Sequence, residues 1–398
     1  MLRSSSICTS FLYNYLVSSD DKDKGGDKLT KDAKRLRCLS NTLKDYGGVL
    51  SKLSQILCLD DKDNNVFSEC KPFSKEKTIK FFKRFIINSD LPVNNVDFNV
   101  YKSGSIGQVH KAVYEDKKIV FKVQYVGLQE QVKCDLKILD KVASYLFYFS
   151  DIKNAMKDIK LKMNEELDYE LEKNNQDNMY KLFKKTKYVK IPKVISELSN
   201  DKILAMYYIE GKSLKDFIDN STQDERNVVG ENMIKFVFES LYSHNILYSD
   251  CHYGNFLVTQ DFNICVLDFG CIHYVGDELM DNMRSLHLAL LESDKDRFYE
   301  LVETIGIIDK KISEKSRAYI YDYFKIQYEP WISDEFEFTD EWLDTCSDKD
   351  TDLMKEWKLP DNMVYFNKIP YGFYHILTKM KLQGSFLNIF KNILNKDE

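Results

Sequence analysis

Residues 246–270 constrain the fold more than any other stretch of the chain. They read I-L-Y-S-D-C-H-Y-G-N-F-L-V over 246–258 and then V-L-D-F-G over 266–270. Two β-prone runs, 256–258 and 264–267, flank a polar turn. Asp250 and Asp268, 18 positions apart, are therefore expected on loops at the two ends of a strand–turn–strand unit. D-x-x-x-x-N followed by D-F-G has the form of a phosphoryl-transfer site. Asp250 is placed to accept a hydroxyl proton or to orient a nucleophile. Asn255 and Asp268 offer the hard oxygen ligands that suit magnesium, so ATP and Mg2+ are the expected cofactors.

Upstream, Gly104 and Gly107 stand between β-like runs, in Y-K-S-G-S-I-G-Q-V over 101–109. Glycines there let backbone N–H groups approach a phosphate, which makes Ser103, Gly104, Ser105 and Gly107 candidate nucleotide contacts. Taken alone, the pair reads more readily as an ordinary hairpin turn. Lys122 ends the apolar run 119–122, where an ammonium group needs an anionic partner. A lysine so placed holds the α/β-phosphates and a helix glutamate in kinases.

The rest of the pattern is α+β. A disordered tail and linker is expected over 1–28, charged and glycine-containing from Asp20 to Lys28, and apolar residues recur at helical spacing from 33 to 59, broken by Gly47-Gly48. Another helix is expected near 75–87. Strands follow at 96–101, 108–114 and 119–125, with a turn over 115–118. Helices then occupy about 128–183, strands 189–195 and 203–209, and the chain is helical from 277 onward. This predicts a helical extension over 29–95, a small β-sheet lobe over 96–211 and a mainly helical lobe over 212–398.

Composition narrows the alternatives. With 43% hydrophobic residues, 25 Tyr and 25 Phe in 398 residues, the chain is globular rather than disordered. A net charge of −6, with acids and bases interleaved, gives no basic surface for nucleic acid. Nine cysteines without a C-x-x-C pair, and six dispersed histidines, argue against a disulfide framework or a zinc site and for reduced intracellular thiols. No window approaches the roughly 20 apolar residues of a membrane span, so a soluble or peripherally attached protein is expected. The first nineteen residues hold no acid and a single base, Arg3, which leaves a plain tail and a mitochondrial presequence both open. The compartment is correspondingly undecided between cytoplasm and mitochondrion.

Four stretches then resemble the UbiB/ADCK (aarF-domain) family of atypical, protein-kinase-like proteins, a group tied to coenzyme Q biology. S-I-G-Q-V-H over 105–110 is similar to the end of that family's phosphate loop, and K-V-Q-Y over 122–125 to its lysine strand. Glu166 and Asp168 match its E-x-D signature, with Glu172 in the place of the acid that partners the lysine. Lys52-Leu53-Ser54-Gln55 resembles its K-x-G-Q motif, with serine for glycine. The resemblance implies a two-lobed kinase-like fold, a nucleotide site reached by Lys52, Gln55, Glu166 and Asp168, and an N-terminal helix folded over that site. It also implies lipid or quinone-pathway partners. Three departures stand out. The family's alanine-rich loop is Lys102-Ser103-Gly104-Ser105 here. In its H-x-D-P-H-P-G-N segment, Tyr248 replaces the leading histidine, and Cys251 and Tyr253 replace the prolines.

Three functions fit these residues. The leading one is an atypical kinase or ATPase, with Lys122 and Glu172 at the phosphates, Asn255 and Asp268 at the metal and Asp250 at the nucleophile, acting on a small or lipid-like acceptor. A nucleotide-binding pseudokinase scaffold is the second and a small-molecule phosphotransferase the third. Lys52, Gln55, Glu166 and Asp168 weigh against the last.

Overall fold

The computed structural model describes residues 75–82, 93–137 apart from 105, 126, 131 and 135, 167–358 apart from 348 and 349, residues 360 and 366, and 370–395. These form two compact units that alternate along the chain. The first takes the described residues up to Asn174 together with Lys193–Tyr208; the second takes Asn175–Pro192 and Ile209 onward. Residues 175–192, which the sequence pattern assigns to the β-sheet lobe, thus belong with the second unit.

The first unit is built on an antiparallel sheet. Its strands are β1 (Val93–Asn94), β2 (Lys102–Ser103), β3 (Gly107–Tyr114), β4 (Lys117–Gln124) and β6 (Ile203–Tyr207), in the order β1-β3-β4-β6 with β2 also on β3. Side chains alternate across the sheet with the strand period of two. His110, Ala112, Tyr114, Ile119, Phe121 and Val123 face one way and are buried, while Val109, Val120 and Lys122 face the other. Helix α1 (Lys75–Phe82) closes the first face. Its Phe82 packs edge-on against Phe98, His110 and Phe121 at 5.9, 5.3 and 5.5 Å, and burying a ring of that size stabilises by about 1.5–3 kcal/mol. On the other face Tyr169, the first residue of α2 (Tyr169–Phe183), packs with Val194, Leu204, Met206, Ile106 and Val120.

Two expected strands differ. No strand runs over 96–101: Asn95 turns left-handed at φ 49°, and the Asp97 carboxylate accepts from the Asn99 backbone N–H at 2.9 Å. Such a local bond competes with sheet pairing. The run 189–195 is not one strand but serves two sheets. Val189–Lys190 (β5) lies parallel to a strand of the second unit, whereas Val194 bridges Met206 in the first. Pro192, which has no N–H to give a ladder, stands where the run divides. The hairpin between β3 and β4 is a tight two-residue turn, with Glu115 and Asp116 at φ 47° and 59°, the backbone twist such turns require.

The second unit is mostly helical. Its centre is α4 (Gln223–His244), preceded by α3 (Leu214–Asn220). Helix α4 starts at a capping box between Thr222 and Glu225 and ends at Asn245, which adopts the left-handed conformation. Around it lie β7 (Lys212–Ser213), β8 (Ile246–Tyr248), β9 (Phe256–Val258), β10 (Ile264–Val266) and β11 (Ile272–Tyr274). They make a four-stranded sheet, β5-β10-β9-β7, and a two-stranded ribbon, β8-β11. Helices α5 (Asp277–Glu292), α6 (Lys295–Ile305), α7 (Glu314–Ile332), α8 (Asp340–Ser347), α9 (His375–Lys379) and α10 (Leu387–Leu394) complete the unit. Among the described residues no helix is long and apolar enough to cross a membrane.

Candidate active site

The candidate residues fall into two sets, one in each unit. In the first unit, Lys122 lies on the sheet face that α2 covers. Its Nζ donates to Glu172 Oε1 at 2.6 Å and sits 5.3 Å from the centre of the Tyr169 ring. The Glu172 side chain is 3% exposed and that of Lys122 18%, so each charge is partly removed from water and compensated by the other. Asp168 fixes where that glutamate stands. Its Oδ1 accepts the Leu171 N–H at 3.0 Å and its carbonyl the Glu172 N–H at 3.0 Å, which is N-cap geometry. Asp168 thus positions Glu172.

The two glycines do different things. Gly104 donates its N–H to the Gly107 carbonyl at 2.8 Å, so this N–H closes the loop instead of pointing outward. A Cβ on Gly104 would meet nothing nearer than 3.7 Å. A Cβ on Gly107 would lie 2.5 Å from the Val123 carbonyl oxygen and 2.9 Å from the Tyr169 hydroxyl. Gly107 is therefore needed for the close approach of β3, β4 and Tyr169. Ser103 ends β2, paired with Gln108. Ser105, Lys52, Gln55 and Glu166 lie outside the described residues.

Gln108 and His110, conspicuous in the sequence as part of a motif, are buried on the α1 face and structural. The Gln108 amide donates to Thr78 Oγ1 at 3.0 Å and to His110 Nε2 at 2.7 Å, and His110 Nδ1 donates to the Asp97 carbonyl at 3.0 Å. Burial lowers the His110 pKa, which keeps the ring neutral in this network.

In the second unit, Asp250 and Asn255 are linked directly. Asn255 Nδ2 donates to the Asp250 carbonyl at 3.0 Å and to its Oδ2 at 2.8 Å. The amide is thereby fixed with Oδ1 as the atom it can offer a cation. The loop between them folds on itself: the His252 N–H donates to the Asp250 carbonyl, the Asn255 N–H to the His252 carbonyl, and the Gly254 N–H to His252 Nδ1, each at 2.9 Å. Asp268 is held by the Gly270 N–H, 3.0 Å from its Oδ1. The Leu267 N–H joins the two segments by donating to the Asn255 carbonyl at 2.9 Å.

Two side chains hold the D-F-G backbone: Tyr248, which the sequence marked only as a departure from the family pattern, and Asn175, which it did not mark. Tyr248, buried among Phe236, Phe256 and Phe269, donates its hydroxyl to the Asp268 carbonyl at 3.0 Å. Burial first, then Asp250 and Asp268, push its pKa well above the usual range, so it stays a donor. Asn175 Nδ2, on α2, donates to the Phe269 carbonyl at 3.0 Å. The loop residue Cys251 is buried and burial pushes its thiol pKa up, which removes it as a nucleophile.

Among the described residues no three His, Cys, Asp or Glu side chains gather in a metal cage. The donors on hand, Asn255 Oδ1 and the Asp268 carboxylate, suit a hard cation that retains water or phosphate oxygens in its remaining positions. These residues fit magnesium of the phosphate-bound kind.

The family model of the ABC1 atypical kinase-like domain matches residues 65–302. AarF domain-containing protein kinase 1 of Xenopus laevis is 28% identical over 222 residues, covering 51% of this chain and 41% of the frog protein. Atypical kinase COQ8, mitochondrial, of Saccharomyces cerevisiae is 26% identical over 259 residues, covering 62% of this chain and 50% of the yeast protein. The chain thus spans half or less of the length of these relatives. Among solved structures, the Rv3197–erythromycin complex of Mycobacterium tuberculosis superposes with a TM-score of 0.69 at 20% identity, covering 88% of this chain and 93% of that one. That likeness concerns the fold alone, which is the α+β kinase-like one.

Proposed function

The chain belongs to the ABC1 atypical kinase-like family, and on that premise we propose that it binds ATP with magnesium and hydrolyses it or transfers its phosphoryl group to a small or lipid-like acceptor. The observation that carries the reading is the Asp250–Asn255 pair, in which one amide fixes a carboxylate and keeps its own oxygen for a cation. Lys122, oriented by Glu172, is the phosphate-holding cation. Asn255 and Asp268 would hold magnesium, which when bound neutralises charge developing on the phosphate oxygens. Asp250, tied through Oδ2, keeps Oδ1 to accept a proton from the attacking hydroxyl or water.

Relatives named as COQ8 kinases and as mitochondrial or chloroplastic proteins support a role in quinone or lipid metabolism and an intracellular setting. The deciding experiment is magnesium-dependent ATP hydrolysis by the purified protein beside Asp268→Asn and Lys122→Ala. Turnover that both substitutions abolish is the expected result. ATP binding with no turnover above the Asp268→Asn background would replace the enzyme reading with a nucleotide-binding scaffold.

A further inference from the structure

Where the resembling family carries prolines in its catalytic loop, this chain has Cys251 and Tyr253, and both are touched by one segment from near the C-terminus. A π-helical turn, Pro370–Tyr374, leads into α9. Gly372 in that turn comes so close that a Cβ there would lie 2.6 Å from the Cys251 carbonyl oxygen and 3.5 Å from its carbonyl carbon. This is backbone against backbone, and neither side is a flexible side chain that could give way. One turn on, the Tyr253 hydroxyl reaches the His375 carbonyl at 3.5 Å, and the two rings pack edge to face at 6.2 Å.

The turn itself is firmly seated. Phe373 is fully buried and Tyr374 4% exposed. The Tyr374 hydroxyl donates to the Gln327 carbonyl at 2.7 Å and accepts from Trp331 Nε1 at 3.1 Å, both on α7. Residues 370–380 also lie beyond residue 302, where the match to the family model ends.

We infer that this turn buttresses the catalytic loop, with Gly372 and Tyr253 as positioning residues that hold Asp250 and Asn255 in register. Proline limits a loop by fixing φ within the chain; here a loop without those prolines is limited from outside. Tyr253 shows the exchange most clearly. It opens a 3-10 turn and follows His252, whose φ −124° and ψ 145° are extended, the backbone setting in which proline is accommodated at a first helical position.

The inference rests on the reading of Asp250, Asn255 and Asp268 as the metal and nucleophile side of an ATP site, and its test has an arm that does not. Amide hydrogen exchange at Gly254 and Asn255 in ligand-free protein reports the support itself and is expected to quicken in Gly372→Ala and in Tyr253→Ala. Calorimetric Kd values for ATP with Mg2+ and with EDTA report its consequence. Both variants should lose on the order of tenfold of the Mg2+-dependent gain in affinity, as small misplacements of a site do, and keep the wild-type affinity in EDTA. Unchanged exchange in both variants overturns the buttress. So does a wild-type Mg2+ gain in variants that fold but have a lower Tm, since that is what packing damage alone would produce. Quickened exchange with no Mg2+ gain in the wild type leaves the buttress standing and overturns the ATP–magnesium reading instead. If Gly372→Ala does not fold, Tyr253→Ala decides.

Discussion

The Lys122–Glu172 pair and the Asp250–Asn255 loop are held in place by different means. Lys122 sits mid-register in a regular strand and Glu172 in the first turn of a capped helix. Once sheet and helix form, the pair has few other places to be, and two opposite charges meet there at 2.6 Å. The loop of the second unit belongs to no regular element for most of its length. Its geometry comes from many modest contacts: amide to carboxylate, histidine to backbone, Tyr248 to the Asp268 carbonyl, and Gly372 against Cys251. A concentrated interaction fails sharply when one partner is removed, whereas a distributed one degrades in steps. That contrast can be measured.

Lys122→Met should have the largest effect, since it removes the cation 2.6 Å from a buried carboxylate. Because Lys122 keeps 18% exposure, the low end of the range for broken buried pairs applies, about 3 kcal/mol. Chemical denaturation that finds the variant as stable as the wild type would show that the charge pair is not where the first unit's energy is concentrated.

Acid is expected to act next, and on the second unit. His287 is buried, hydrogen-bonded to the Tyr242 hydroxyl and packed on the Tyr328 ring at 4.1 Å; burial lowers its pKa from 6.5 to about 3. A group whose folded pKa is depressed binds protons more readily when unfolded, so stability is lost as pH falls below about 6.5 and continues to fall toward 3. Between pH 7 and 5 the loss should be about 2 kcal/mol, and His287→Phe should flatten that part of the stability–pH curve.

Tyr248→Phe should come third, at about 1 kcal/mol of stability, for the loss of a part-buried hydrogen bond to the Asp268 carbonyl. If the loop is held in a distributed way, Asp268 keeps its Gly270 contact and Mg2+-dependent nucleotide binding weakens without vanishing; complete loss would mean that Tyr248 alone holds the D-F-G segment.

Gly104→Ala should do least, within about 0.5 kcal/mol, because a Cβ there has 3.7 Å of room. A thermal melt that drops as far as for Gly107→Ala would contradict the distinction drawn between the two glycines.

How much of this was legible in the sequence follows the same contrast. The α+β fold, the strand bearing Lys122 and the spacing of Asp250, Asn255 and Asp268 could be read from residue type and short-range period, since each depends on neighbours within one element or loop; Glu172, 50 positions from Lys122, was legible only through the resemblance to a family pattern. The strand expected over 96–101 is absent because Asn95 turns left-handed and the Asp97 carboxylate takes the Asn99 N–H, choices that hydrophobic alternation does not register. Tyr248 looked like a departure from a family pattern, and only its long reach to the Asp268 carbonyl explains it. Gly372 gave no signal at all: its reason for being glycine is a carbonyl 121 positions earlier in the chain, and no local pattern carries that.

The division of the run 189–195 between two sheets has a consequence for synthesis. Neither unit is a continuous length of polypeptide, because Asn175–Pro192 interrupts the first and Lys193–Tyr208 interrupts the second. As the chain leaves the ribosome N-terminus first, the sheet that carries Lys122 stays open at the edge of β4 until Ile203–Tyr207 has emerged. By then α2 and β5 are already outside, with no α4 or β10 to pack on. The nascent chain must therefore carry an unpaired strand edge and an uncovered helix at the same moment, the pair of features most prone to sticking to other chains. Chaperone demand is expected to peak over this stretch of translation and to subside once β10 is complete.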